Sequence, residues 1–141
     1  MRVCVIDGRG GGLGSRLVTG LRETLNLDCH ILALGTNLAA ANAMREAGAE
    51  QVASGVEAIS KLVLTADVIV ASLNMVLPGA MLGEVTPEVA KAILEAKAKK
   101  VLLPLNRIQV EIVGTGGRTM DTLIDECLSR VRVAIQATCR A

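Results

Sequence analysis

A repeated alternation constrains this sequence most. Val3–Ile6, Ile31–Leu34, Val68–Ala71 and Val101–Leu103 are short runs with no polar residue inside them, and Gln51-Val52-Ala53 adds one more short candidate strand. Continuous apolar runs of this length mark strands covered on both faces, as in a parallel sheet. Segments of helical period lie between them. Leu13, Leu17, Leu21 and Leu25 recur every four residues with Val18 beside them, which predicts an amphipathic helix. Gly20 inside it weakens that helix by ~1 kcal/mol relative to alanine. Asn37 is placed to cap a second helix, which Gly48 would end. Ser54-Gly55-Val56-Glu57 fits a capping box, and Thr86-Pro87-Glu88 joins a cap, a first-turn proline and a first-turn acid. Met120, Leu123, Ile124, Cys127, Leu128, Val131 and Ile135 mark a long final helix.

One further strand is expected. Ile108, Val110 and Ile112 alternate with Gln109 and Glu111, and only a few residues around Asn106-Arg107 separate them from Val101–Leu103. That spacing is too short for a parallel crossover, so it predicts an antiparallel edge hairpin. The order β-α-β-α-β-α-β-α-β-β-α reads as a Rossmann-like, doubly wound three-layer α/β sandwich, mostly parallel, in one domain over residues 1–141.

Composition narrows the function. The 141 residues are 51% hydrophobic with mean hydropathy +0.48, yet include no Phe, Tyr or Trp. The core must pack through Leu, Val, Ile, Ala and Met. A Tyr-Lys dehydrogenase pair, a base-stacking platform and an aromatic cage are all excluded. Fifteen basic against 14 acidic residues leave +1, so no strong field draws the chain to nucleic acid or to an acidic membrane. The first apolar run meets Asp7 too early for a signal peptide. The uncharged stretch Val68–Gly83 contains Ser72, Asn74, Pro78 and Gly79, and it is short of the ~20 apolar residues that span a bilayer. Cys4, Cys29, Cys127 and Cys139 show no CxxC pairing, and with His30 they offer no metal-site spacing. A cytoplasmic protein without a metal is expected.

The fold locates the site. In a 3-2-1-4-5 sheet the order reverses between the first and fourth strands, and ligands bind outside the carboxyl ends there. Asp7, Gly8, Arg9, Gly10, Gly11, Gly12, Leu13 and Gly14 converge on that place with Ser72 and Asn74. Asn106 and Arg107 join them, with Thr36 and Asn37 flanking from the second strand. Glycines permit close backbone approach, and a following helix N-terminus offers unpaired N–H groups to an anion, most often phosphate. Gly8-x-Gly10-x-x-x-Gly14 is one residue longer than GxGxxG, and Ser15-Arg16 stands where a Walker A loop needs Lys-Ser/Thr. A dinucleotide site would place an acid or an Arg at the end of the second strand, where Gly35-Thr36-Asn37 is neutral. Asp7 stands where some phosphotransfer folds keep a nucleophile, but it lacks a second aspartate; its other reading is a carboxylate that holds the turn. Arg107 is either a bidentate anion clamp or an exposed turn charge.

The segments Val5–Gly14, Ala33–Asn37, Met81–Pro87, Pro104–Arg107 and Glu111–Gly114 together resemble a family of small bacterial proteins classed as a domain of unknown function. The resemblance spans nearly the whole chain and implies a Rossmann-like protein, with no activity or residue role to carry over.

The leading functional expectation is a non-catalytic or regulatory module that binds a phosphate-bearing small molecule on the glycine loop. The alternatives are an enzyme using NAD(P) or another nucleotide, and an adaptor without ligand. A small, apolar chain also leaves hydrophobic surface outside. A two-fold homodimer is therefore expected, through Met75, Val76, Leu77, Met81 and Leu82 or through Val131, Val133 and Ile135.

Overall fold

Strand β1 (Arg2–Asp7) lies at the centre of a five-stranded sheet that also holds β2 (His30–Gly35), β3 (Gln51–Ser54), β4 (Val68–Ser72) and β5 (Lys99–Leu103). The computed structural model describes residues 1–25, 29–104 and 110–140. The sheet order is β3-β2-β1-β4-β5, and every pairing is parallel. The reversal predicted from the sequence thus falls between β1 and β4. Period two sends successive residues of β1 to opposite layers. Val3 and Val5 pack with Leu17, Leu21, Met44 and Val131 on one face, while Cys4 and Ile6 pack with Ile59, Met75 and Ile93 on the other. Helices α1 (Gly12–Thr24), α2 (Leu38–Glu46) and α5 (Met120–Arg140) build the first layer. The second is built by α3 (Val56–Leu62) and α4 (Pro87–Glu95). The fold is Rossmann-like α/β.

Local signals explain most boundaries. Asn37 Oδ1 accepts from the Ala40 N–H at 2.8 Å to cap α2, and Thr86 Oγ1 accepts from Val89 at 3.2 Å to cap α4. The capping box expected at Ser54 does not form. Gly55, at φ 100°, is the cap residue of α3, and no side chain bonds that end.

Two larger expectations are corrected. Val110–Ile112 is not a strand, and among the described residues β5 pairs with β4 alone, so the antiparallel hairpin is not formed by these residues. The Ile112 carbonyl instead accepts from the Thr115 N–H and hydroxyl, closing a turn where a ladder would need that carbonyl. Ile108 and Gln109 lie outside the described residues. The expected apolar surface is also largely internal. Leu73–Val76 winds into a 3-10 turn that buries Met75 against α4, and Val131 and Ile135 are core residues of α5. Leu82 and Val133 remain exposed, at 91% and 52%. Among the described residues no helix is long and apolar enough to cross a membrane.

Candidate functional site

Strand β1 delivers Asp7 to the carboxyl edge of the sheet, 5% exposed. Its Oδ1 accepts from the Gly8 N–H at 2.8 Å and its Oδ2 from the Gly14 N–H at 2.7 Å. The carboxylate thus ties the strand end to the first turn of α1. This is the turn-holding reading, and it commits both oxygens to the backbone. No cysteine is among the described residues that line the adjoining cleft. Burial pushes Cys4 far above the ordinary range and Cys127 up to about 12.

The five loop glycines separate into two kinds when a Cβ is imagined on each. On Gly8 it would lie 2.7 Å from Thr36 Oγ1 and 2.8 Å from Met81 Sδ, and on Gly14 2.6 Å from Met44 Sδ. Gly11 has φ 74°, and its Cβ would meet the Ala40 backbone at 2.9 Å. These three are required by packing. Gly10 and Gly12 are different: neither has a positive φ, and a Cβ on either would meet none of the described residues within 4 Å. The N–H groups show the same division. Those of Gly8, Arg9, Gly11 and Gly14 are bonded within the chain. Those of Gly10, Gly12 and Leu13 have no partner among the described residues, and the last two belong to the first turn of a helix.

These groups line a cleft of about 400 Å³. Leu13, Met81, Leu82 and Met120 supply apolar wall, and Asn74 reaches it from the turn after β4. Asn74 is 3% exposed, yet its Oδ1 has no hydrogen-bond partner among the described residues. A buried amide oxygen left so costs about 1–3 kcal/mol, and such a group calls for an explanation. Ser72, at the end of β4, is likewise buried with its Oγ unpartnered, but it does not line the cleft. Asn106 and Arg107 lie outside the described residues.

Thr36 and Asn37 are not open to the cleft. Both donate to Glu84 Oε1, from Thr36 Oγ1 at 2.7 Å and from Asn37 Nδ2 at 2.7 Å, and the Arg9 N–H adds a third bond at 2.9 Å. Partial burial alone would push this carboxyl up. The three hydrogen bonds and the Arg9 charge outweigh that and hold it below the usual glutamate range, so it is ionised at neutral pH. Sequence reasoning missed Glu84 as a site residue. Its one local signal is position: it is the first charged residue after Asp67, at the end of an otherwise uncharged stretch. Met120, the first residue of α5, was missed as well, because as an apolar member of a helical stripe it read as core.

No curated protein sequence matches the chain. A dodecameric FMN-dependent UbiX-like decarboxylase from Escherichia coli O157:H7 shares the fold, with a TM-score of 0.52 over 93% of this chain and 92% of that one. Identity is 16%, so the likeness is one of architecture. The resemblance read from the sequence segments is sustained by a family model that matches residues 2–136, and the chain belongs to the family described as a domain of unknown function, DUF3842.

Proposed function

We propose that this chain binds a phosphate-bearing small molecule of mononucleotide size, phosphate on the glycine loop, in a non-catalytic or regulatory role. One observation carries the reading. Gly10 and Gly12 border the cleft where the described residues give no reason for glycine, beside three N–H groups without partners among those residues. Helix N-termini of this kind favour anions through unpaired donors and the helix dipole. Asn74 is a second, independent pointer, since a ligand donor would satisfy its buried oxygen. The cleft volume lies within the range of small-molecule sites, about 300–1,000 Å³. Among the described lining residues only Asp7 and Arg9 are charged, and Asp7 is committed to the loop. That poverty of acid and base groups supports a binding role.

Flavin mononucleotide is the first ligand to try, because the structural neighbour is FMN-dependent. The residues present suit it: Gly10, Gly12 and Leu13 for the phosphate, Asn74 for a polar ring edge, and Met81, Leu82 and Met120 for apolar surface. A bound flavin would bring redox chemistry, while this chain's groups would hold and orient it. Calorimetry and thermal shift with FMN, AMP and inorganic phosphate test the reading. Ligand at ~100 times its Kd should contribute ~2.7 kcal/mol. We expect Gly10→Val to fold and to lose that shift. No response to any probe would overturn the reading.

The proposal includes a homo-oligomer, most simply a two-fold dimer across the α5 face that presents Val133. An oligomeric neighbour and the exposure of Val133 support it. Sedimentation equilibrium checks it: Val133→Asp should yield a folded monomer, and a wild-type monomer at tens of micromolar would overturn it. Cysteines that stay as free thiols suit a reducing, cytoplasmic location.

A further inference from the structure

We infer that Glu84 sets the size class of the ligand: it closes the site at the end of β2, so a mononucleotide is accepted and the dinucleotide built on it is rejected. The inference rests on the phosphate-site reading above and deepens it. In doubly wound folds a dinucleotide crosses the sheet edge, and its ribose hydroxyls meet an acid at the end of the second strand. Here that place holds an acid delivered from elsewhere. Glu84 comes from the loop between β4 and α4, and one oxygen gathers the Thr36 hydroxyl, the Asn37 amide and the Arg9 N–H. The donors that would bind a second ribose or phosphate are taken by the chain's own carboxylate.

Space agrees with chemistry. The direction a Cβ on Gly8 would take is filled by Thr36 Oγ1, Met81 Sδ and, at 3.2 Å, Glu84 Oε1. The cleft lining includes none of Thr36, Asn37 and Glu84. Asn37 is held from two more sides, since its Nδ2 also donates to the Arg9 carbonyl and its Oδ1 caps α2. The loop that brings Glu84 is itself braced. Gly79 N–H donates to Val85 O at 2.7 Å, and Glu84 N–H to Met81 O at 3.1 Å. Opening this side means breaking several bonds at once.

The test uses two ligand pairs, FMN with FAD and AMP with NAD, each differing by the second nucleotide half. Calorimetry on the wild-type chain should show the mononucleotide of the binding pair preferred by at least about tenfold, the scale of one hydrogen bond to a charged group. Glu84→Ala should shrink that preference toward unity by tightening the dinucleotide. Glu84→Gln keeps the bulk and the accepting oxygen, so it should retain the preference. Equal affinity for both members of a pair in wild type would overturn the inference with no variant needed. So would an unchanged preference in folded Glu84→Ala, or its loss in Glu84→Gln. If no member of either pair binds, this inference falls; if inorganic phosphate gives no response either, the phosphate-site reading falls with it.

Discussion

The loops after β1 and β4 hang from neighbouring strands and face each other across the cleft, and both place left-handed residues there, divided differently between glycines and residues with side chains. After β1, Arg9 at φ 52° and Gly11 at φ 74° are both left-handed, and glycine stands at the one where a β-carbon would meet the Ala40 backbone. After β4, Gly79 and Gly83 take φ 90°, but Met81 and Leu82 between them hold φ 56° with full side chains. A left-handed residue with a β-carbon costs roughly 1–2 kcal/mol. Met81 has a reason to be there, since its sulfur packs over Gly8 and its chain lies against the core. Leu82 has no such reason, being almost wholly exposed. The first loop shows the converse, glycine at positions 10 and 12 where nothing demands it. The residues that packing leaves unexplained in both loops border one cleft.

Adjacent glycines sharpen this comparison most strongly. Gly11→Ala places a β-carbon in the left-handed region and 2.9 Å from the Ala40 backbone. Strain and overpacking together should remove about 3 kcal/mol of stability. Gly12→Ala, one residue on, enters open space at the first position of α1. Removing a helical glycine there should add about 0.5 kcal/mol. The same methyl would stand where the proposed phosphate site lies, so on that proposal affinity for a mononucleotide should fall. Denaturant midpoints and calorimetry on the two variants check both signs. If Gly12→Ala is as damaging as Gly11→Ala, the second glycine serves the fold, and the ligand argument loses its main support.

The strands, the glycine turn and the helix caps at Asn37 and Thr86 were legible because each rests on residues close in sequence, and the sheet order followed from the doubly wound fold class that the alternation implies. Apolar runs reveal buried strands, and a capping side chain lies three residues from the N–H it bonds. Expectations failed where only a partner could decide. The alternation ending at Ile112 looks like a strand, but a strand needs a ladder, and Thr115 claims that carbonyl. Met75 looks like surface in an apolar loop, until α4 arrives to cover it. Thr36 and Asn37 were expected to flank the ligand, and the group to which their side chains donate was equally out of local view. Their partner Glu84 lies 48 and 47 residues away, and 75 from Arg9. The parallel pairing of β4 with β1 brings them together, and local spacing carries no trace of it.

The β4 loop supplies the smaller test of the same comparison. Leu82→Gly removes a β-carbon from φ 56° and sacrifices almost no packing, because the side chain is exposed. Relief of roughly 1–2 kcal/mol is set against the roughly 0.5–1 kcal/mol that glycine adds to the unfolded chain's entropy. We expect a net gain of about 0.5 kcal/mol, read as a higher denaturant midpoint at unchanged m-value. Met81→Gly relieves the same dihedral but strips the sulfur from over Gly8 and chain from the core edge. Core truncations of this size cost about 2–5 kcal/mol when fully buried, so even this half-buried site should lose more than it regains. Opposite signs at neighbouring residues with identical φ would show that Leu82 is kept against stability, as expected of a cleft wall. A loss of stability in Leu82→Gly would mean that the loop is held by a contact of that side chain, and the contrast between the two loops would disappear.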